Sequence, residues 1–214
     1  MLGAILVPFL CLSGGCAAAR ASERFTFSRT VMGVRADVTA YSRDPAVARA
    51  AAKAAFDEMF RIESVLTDYR ADSEAMRLCD APPGVPVPIS PTLFDVLWRS
   101  TQFSEATGGA FDVTVGPLVG LWREARRTRT LPDPADIARC CESMGWRRVV
   151  LYDDGSKRFA VLDGPAVRLD FGGIGKGYAA DRAVAVMREH GVPSCLVAVA
   201  GDISVGDPPP GRDG

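Results

Sequence analysis

The sequence predicts an α+β fold with an antiparallel sheet, and three observations carry that expectation. Runs with strand patterning follow one another with turn signals between them, which favours hairpins over crossover units. Apolar-periodic segments begin at Asp44-Pro45, Ser90-Pro91 and Asp133-Pro134, each a polar cap followed by proline, and the last two end at glycines. One glycine-rich stretch, Leu169 to Asp181, joins a strand-like run to a helix-like one.

Taken in order, Val34, Ala36, Val38 and Ala40 alternate with Arg35, Asp37 and Thr39, the period of a half-buried strand. Asp44 and Pro45 then open a helix whose apolar face is Val47, Ala51, Phe56, Met59, Phe60 and Leu66. A second helix runs from Ser90-Pro91 to Thr107, stopped by Gly108-Gly109, and a third, short one from Asp133-Pro134 to Gly145. Two or three strands follow, over Val149 to Tyr152, Phe159 to Leu162 and Val167 to Leu169. The helix opened by the glycine turn reaches His190, where Gly191 supplies the stop, and Leu196 to Val199 is a buried strand leading into Gly201-Asp202. The tail from Gly206 is rich in Pro, Gly and Asp and is expected to lack regular structure.

With 214 residues, 48% of them hydrophobic, the chain is long enough for one substantial core. A net charge of −1 gives no electrostatic footprint for nucleic acid or an anionic membrane. Leu2 to Leu12 is an apolar run too short to span a bilayer and is followed by small residues up to Ala21, so residues 1–21 read as an export leader. Ser13-Gly14-Gly15-Cys16 resembles a bacterial lipoprotein processing site, with Cys16 as the lipid anchor; ordinary cleavage near Ala19 or Ala21 is the alternative. Cys79, Cys140, Cys141 and Cys195 lack zinc-site spacing, and Cys195 reads as a buried apolar cysteine.

The stretch Asp170-Phe171-Gly172-Gly173-Ile174-Gly175-Lys176-Gly177-Tyr178 carries the chemistry. Glycines permit positive φ and close approach, and the first amides of a helix have no partner within it, so a strand-to-helix turn of this kind suits a phosphate or pyrophosphate. It is not a P-loop: residue 170 is Asp where that motif needs Gly, and Gly177 stands in place of Ser or Thr after Lys176. His190 is the sole histidine and sits at a helix end, which leaves Ser-His-Asp and Cys-His mechanisms without support. Carboxylates, one lysine and backbone groups remain, a set suited to pyrophosphate chemistry with a hard cation.

Four further segments accompany that turn: Met32-Gly33, Tyr69 to Glu74, Gly108 to Trp122 and Ala200-Gly201-Asp202. Together, in this order, they resemble the FAD:protein FMN transferases, the ApbE-type flavin transferases, from about Phe25 to the end of the chain. The resemblance implies an α+β, T-fold-like domain over residues 22–207, followed by the unstructured tail 208–214. It implies an enzyme that binds FAD, moves its FMN half onto a Ser or Thr hydroxyl of an acceptor flavoprotein of the cell envelope and releases AMP, with Mg2+. An exported protein at the periplasmic face of the bacterial inner membrane fits that role.

Site residues follow position by position from the same resemblance. Met32 matches a methionine contacting the flavin nucleotide, within Met32-Gly33-Val34 where the family has Met-Gly-Thr; a core methionine is the alternative. Tyr69 matches the aromatic stacked near the isoalloxazine, or is a surface tyrosine. Ala110, Phe111 and Asp112 match the FAD-binding triplet, with Phe111, Leu118 and Trp122 expected to anchor the loop while Asp112 faces the ligand. Asp170 and Lys176 match FAD contacts, Lys176 meeting phosphate charge, and Gly173 matches the position whose carbonyl reaches the metal. Ala200 replaces a glycine common in the family and is expected to matter little unless its φ is positive. Family members continue well past this point with Asp and Thr ligands of Mg2+, so the domain is expected to be incomplete at its C-terminus. Two functions follow: a transferase cut short, or a FAD-binding protein or FAD pyrophosphatase lacking those ligands.

Overall fold

The computed structural model describes residues 21–211. The expected leader up to residue 20, with Cys16, and the last three tail residues lie outside them. No helix among the described residues is long and apolar enough to cross a membrane.

Two antiparallel sheets pack around helices, as the turn signals predicted. The first has strand order β1-β2-β6-β7, from β1 (Glu23–Val31), β2 (Val34–Ser42), β6 (Cys195–Val199) and β7 (Asp202–Val205). Along β2, Ala36, Val38 and Ala40 face the core, and Cys195, Val197 and Val199 do the same on β6. β1 reads poorly in the sequence because Glu23, Arg24 and Arg29 interrupt its apolar residues; full-length pairing with β2, from Glu23↔Ser42 to Val31↔Val34, defines it. Met32-Gly33 closes that hairpin with φ of 51° and 71°, the doubly left-handed turn whose twist matches its strands.

Two helices cover the inner face of this sheet. The first is α1 (Pro45–Leu66), capped by Asp44, which accepts from the Ala46 amide at 2.7 Å. The second is α6 (Gly175–Glu189), ended at Gly191 with φ +76°. Their buried faces are rich in alanine, Ala48, Ala51, Ala52 and Ala55 on one and Ala179, Ala180 and Ala183 on the other, so the two helices pack closely. Val47 and Phe60, expected in the α1 core stripe, are 39% and 42% exposed; the alanines and Ile62 fill that stripe instead. The His190 imidazole meets the Val186 carbonyl at 2.9 Å, the helix-end contact its position suggested.

The second sheet, order β3-β5-β4, consists of β3 (Val87–Ile89), β4 (Val149–Asp153) and β5 (Arg158–Leu162). It packs on α3 (Pro91–Ala106), capped by Ser90. Three short helices complete the chain: α2 (Glu74–Cys79), α4 (Gly116–Thr128) and α5 (Pro134–Glu142). The third strand expected over Val167 to Leu169 shrinks to one parallel bridge, Val115↔Arg168. Its neighbour is the reason: Gly116 lies so close that a Cβ there would sit 2.7 Å from the Arg168 carbonyl oxygen, and α4 starts at that contact.

Candidate functional site

A cavity of about 990 Å3 opens at the N-terminal end of α6, within the size range of cofactor sites. Four parts of the fold wall it. The Met32-Gly33 turn closes one side, and the end of α1 with Thr67 to Arg70 forms the next. Arg123 of α4 and the turn from Asp170 to Lys176 complete it. Met32, Tyr69, Asp170 and Lys176, four residues spread over most of the sequence, therefore meet at one cavity.

The α6 N-terminus has no side-chain cap; its first amide, Gly175, donates to the Phe171 carbonyl at 2.7 Å, and the positive end of the helix dipole is directed at this region. Lys176 in the first turn donates to the Gly172 carbonyl at 3.0 Å and lies 3.5 Å from Asp202, with its side chain 30% exposed. The glycines here act through space rather than through φ, since none from Gly172 to Gly177 has a positive φ. A Cβ on Gly172 would meet Asp170 Oδ1 at 2.9 Å, and one on Gly173 would meet the Phe111 ring at 3.1 Å. Close approach of backbone to side chain is what these positions require.

Asp170 shapes the turn. Its Oδ1 accepts from the Gly172 amide at 2.8 Å, while Oδ2 lies 3.3 Å from the Arg123 guanidinium. Arg123 also forms an ion pair with Asp68 and lies over the Tyr69 ring, 4.7 Å from its centroid. Burial pulls the Arg123 pKa down, but the hydrogen bond and charge of Asp68 outweigh it, and the net shift is upward. Tyr69 itself is 80% exposed.

The triplet Ala110, Phe111 and Asp112 does not line the cavity. Asp112, expected to face the ligand, is turned inward. Its Oδ1 accepts from the Thr114 amide at 2.8 Å and hydroxyl at 2.7 Å, and Oδ2 accepts from the Trp146 amide at 2.9 Å. Those bonds join the loop after α3 to the short 3-10 turn Trp146–Arg148, and Thr114 adds a bond from the Gly145 amide at 2.7 Å. Phe111 packs edge-on to Phe103 and backs Gly173, so it supports the glycine turn from behind. Ala110 is exposed, and Trp122, expected as an anchor, is 46% exposed.

Arg123 and Asp68 were not visible in the sequence as site residues. Arg123 is one of four arginines between Arg123 and Arg129, and only the phase of α4 aims it at the cavity. Among the described residues no three His, Cys, Asp or Glu side chains gather as a metal site. The side chains described therefore do not fit Mg2+ on their own, and no step below runs through a metal.

A family model, the ApbE family, matches residues 32–213. The chain belongs to the ApbE family. A relative of this ApbE-family chain, the FAD:protein FMN transferase of Treponema pallidum (strain Nichols), is 31% identical over 206 residues, covering 93% of this chain and 56% of the relative. A protein of the same name from Klebsiella pneumoniae (strain 342) is 30% identical over 203 residues, covering 94% and 58%. Among solved structures, the ApbE protein of Thermotoga maritima MSB8 matches with a TM-score of 0.78 at 26% identity, over 89% of this chain and 61% of that one. The ApbE-family chain thus spans less than two thirds of the length of each.

Proposed function

We propose that this chain supplies the FAD-holding portion of a FAD:protein FMN transferase. The convergence of Met32, Tyr69, Asp170 and Lys176 on one cavity at an uncapped helix N-terminus is the observation that carries the proposal. In the proposed reaction an acceptor Ser or Thr oxygen attacks the FMN-side phosphorus of FAD. The bond to the AMP oxygen breaks, AMP leaves, and the hydroxyl proton passes to solvent. This chain's contribution is binding and charge neutralisation: Lys176 and the α6 amides face the pyrophosphate, and Tyr69 and Met32 border the flavin half.

The test is incubation of the chain, with Mg2+ supplied, with FAD labelled in its flavin half and an acceptor flavoprotein. Label on the acceptor with equimolar AMP is the expected result. Free FMN and AMP would identify a pyrophosphatase, and FAD held intact a binding protein; either would overturn transfer. Lys176→Ala is expected to weaken FAD binding about tenfold, as loss of one charge-assisted phosphate contact does. Unchanged affinity by titration would remove Lys176 from the phosphate site.

The resemblance to flavin transferases also supports a Mg2+ requirement for transfer. FAD retention by this chain is expected to be indifferent to EDTA, and a chelator that releases FAD would contradict that division. Export, tethering through Cys16 and an envelope flavoprotein as acceptor belong to the same proposal, supported by the apolar run and small residues before Cys16. Lipid labelling that Cys16→Ser leaves intact would sink the anchor.

A further inference from the structure

Helix α4 has no buried residue, yet its Arg123 borders the cavity and contacts two other segments that line it. The Arg123 guanidinium pairs with Asp68, reaches Asp170 at 3.3 Å and covers the Tyr69 ring at 4.7 Å. Asp68 and Tyr69 belong to a segment without helix or strand between α1 and α2, and Asp170 belongs to the glycine turn that also borders the cavity. A segment of that kind, with an 80% exposed ring, has many available conformations. Arg123 holds that segment at two points, the Asp68 carboxylate and the Tyr69 ring, and ties it to the glycine turn through Asp170.

The charge balance says which part of a ligand this serves. Arg123 faces two carboxylates, Asp68 and Asp170, whereas Lys176 faces one, Asp202 at 3.5 Å, and stands beside the uncapped α6 N-terminus, so a phosphate is better matched by Lys176 than by Arg123. The guanidinium covers one face of the Tyr69 ring, and the ring, 80% exposed and bordering the cavity, keeps its other face for a flat ligand. We propose that Arg123 is a positioning residue that sets Tyr69 as the platform for the isoalloxazine ring of a flavin. This rests on the FAD reading above.

The experiment titrates the wild-type chain, Arg123→Met and Asp68→Asn with three probes: FAD, riboflavin, which has no phosphate, and ADP, which has no flavin. Stacking of an electron-rich ring on a flavin quenches its emission, so quenching at saturation reports the platform independently of affinity. Arg123→Met is expected to weaken riboflavin and FAD by the same factor, about tenfold, for loss of a cation–π contact and its ion pairs. Quenching at saturation should fall, ADP affinity should stay unchanged, and Asp68→Asn should reproduce the pattern more weakly. Loss of ADP affinity with riboflavin affinity retained would make Arg123 a phosphate contact and overturn the proposal. Full quenching with unchanged affinities would make it a bystander. If Arg123→Met loses all three probes through misfolding, Asp68→Asn decides, and unchanged riboflavin binding in it overturns the proposal. A wild-type chain that binds none of the probes would remove the FAD reading and this inference together; a wild type that binds all three with an inert Arg123 would remove only the inference.

Discussion

Met32 and Ala200 both sit at positive φ, 51° and 54°, in the two-residue turns that close β1 to β2 and β6 to β7. A side chain in that region is disfavoured by about 1–2 kcal/mol relative to glycine. At Ala200 nothing in the described site repays it, so the substitution that looked harmless in the sequence is a strained one. Ala200→Gly is expected to stabilise the chain by about 0.5–1 kcal/mol in denaturant unfolding once the larger entropy of the unfolded glycine is subtracted. A lower midpoint would refute the strain. At Met32, half-buried against the core, relief of the positive φ is offset by lost packing, so Met32→Gly is expected to leave the unfolding midpoint nearly unchanged and lower FAD affinity, because the thioether borders the cavity. Asp112 behaves differently. Asn at this position keeps the bonds from Thr114 but cannot accept from the Trp146 amide with its NH2 group, so Asp112→Asn is expected to lose about 1–2 kcal/mol of stability while folded protein retains FAD affinity. A selective loss of affinity would return Asp112 to the ligand.

Between elements, Glu58 is the joint of the helical layer. Its carboxylate takes two bonds from Arg61, which in turn reaches Thr92 of α3, and it lies 3.6 Å from Arg182 of α6. Hydrogen bonding from Arg61, opposed by burial, leaves the Glu58 pKa below the ordinary glutamate value. A carboxyl lowered on folding stabilises the native state above its unfolded pKa and stops doing so as pH falls through the folded value. Glu58→Gln is therefore expected to destabilise by about 1 kcal/mol at pH 7, with the gap to wild type closing below about pH 4. A gap that persists once the native carboxyl is protonated would point to shape rather than charge. The start of α4 depends on space instead: Gly116→Ala would drive a Cβ to 2.7 Å from the Arg168 carbonyl, a clash of about 1–3 kcal/mol. Helices with a proline after a polar cap, α1, α3 and α5, were legible because the capping chemistry is local. Both α4 and β1 were not, since the first hides behind Gly116-Pro117 and the second is defined by its partner strand.

Over the whole molecule, the anion-suited end of the site was readable and its architecture was not. Lys176 and the glycines are contiguous, so their chemistry shows in the string of letters, although the glycines proved to serve close approach rather than positive φ. Asp68 and Arg123 are 55 residues apart, and their pairing depends on where α4 lies relative to the segment after α1, which no local pattern encodes. The sheet, α1 and α6 hold most of the fully buried side chains, whereas α4 and α5 hold none. Local opening should follow that gradient, easiest at α4 and α5. A protease would read it directly. Arg123, Arg126, Arg127 and Arg129 give trypsin four cleavage sites on and just after a helix without a buried residue, so an early nick should fall there, and a flavin seated against Tyr69 should delay it.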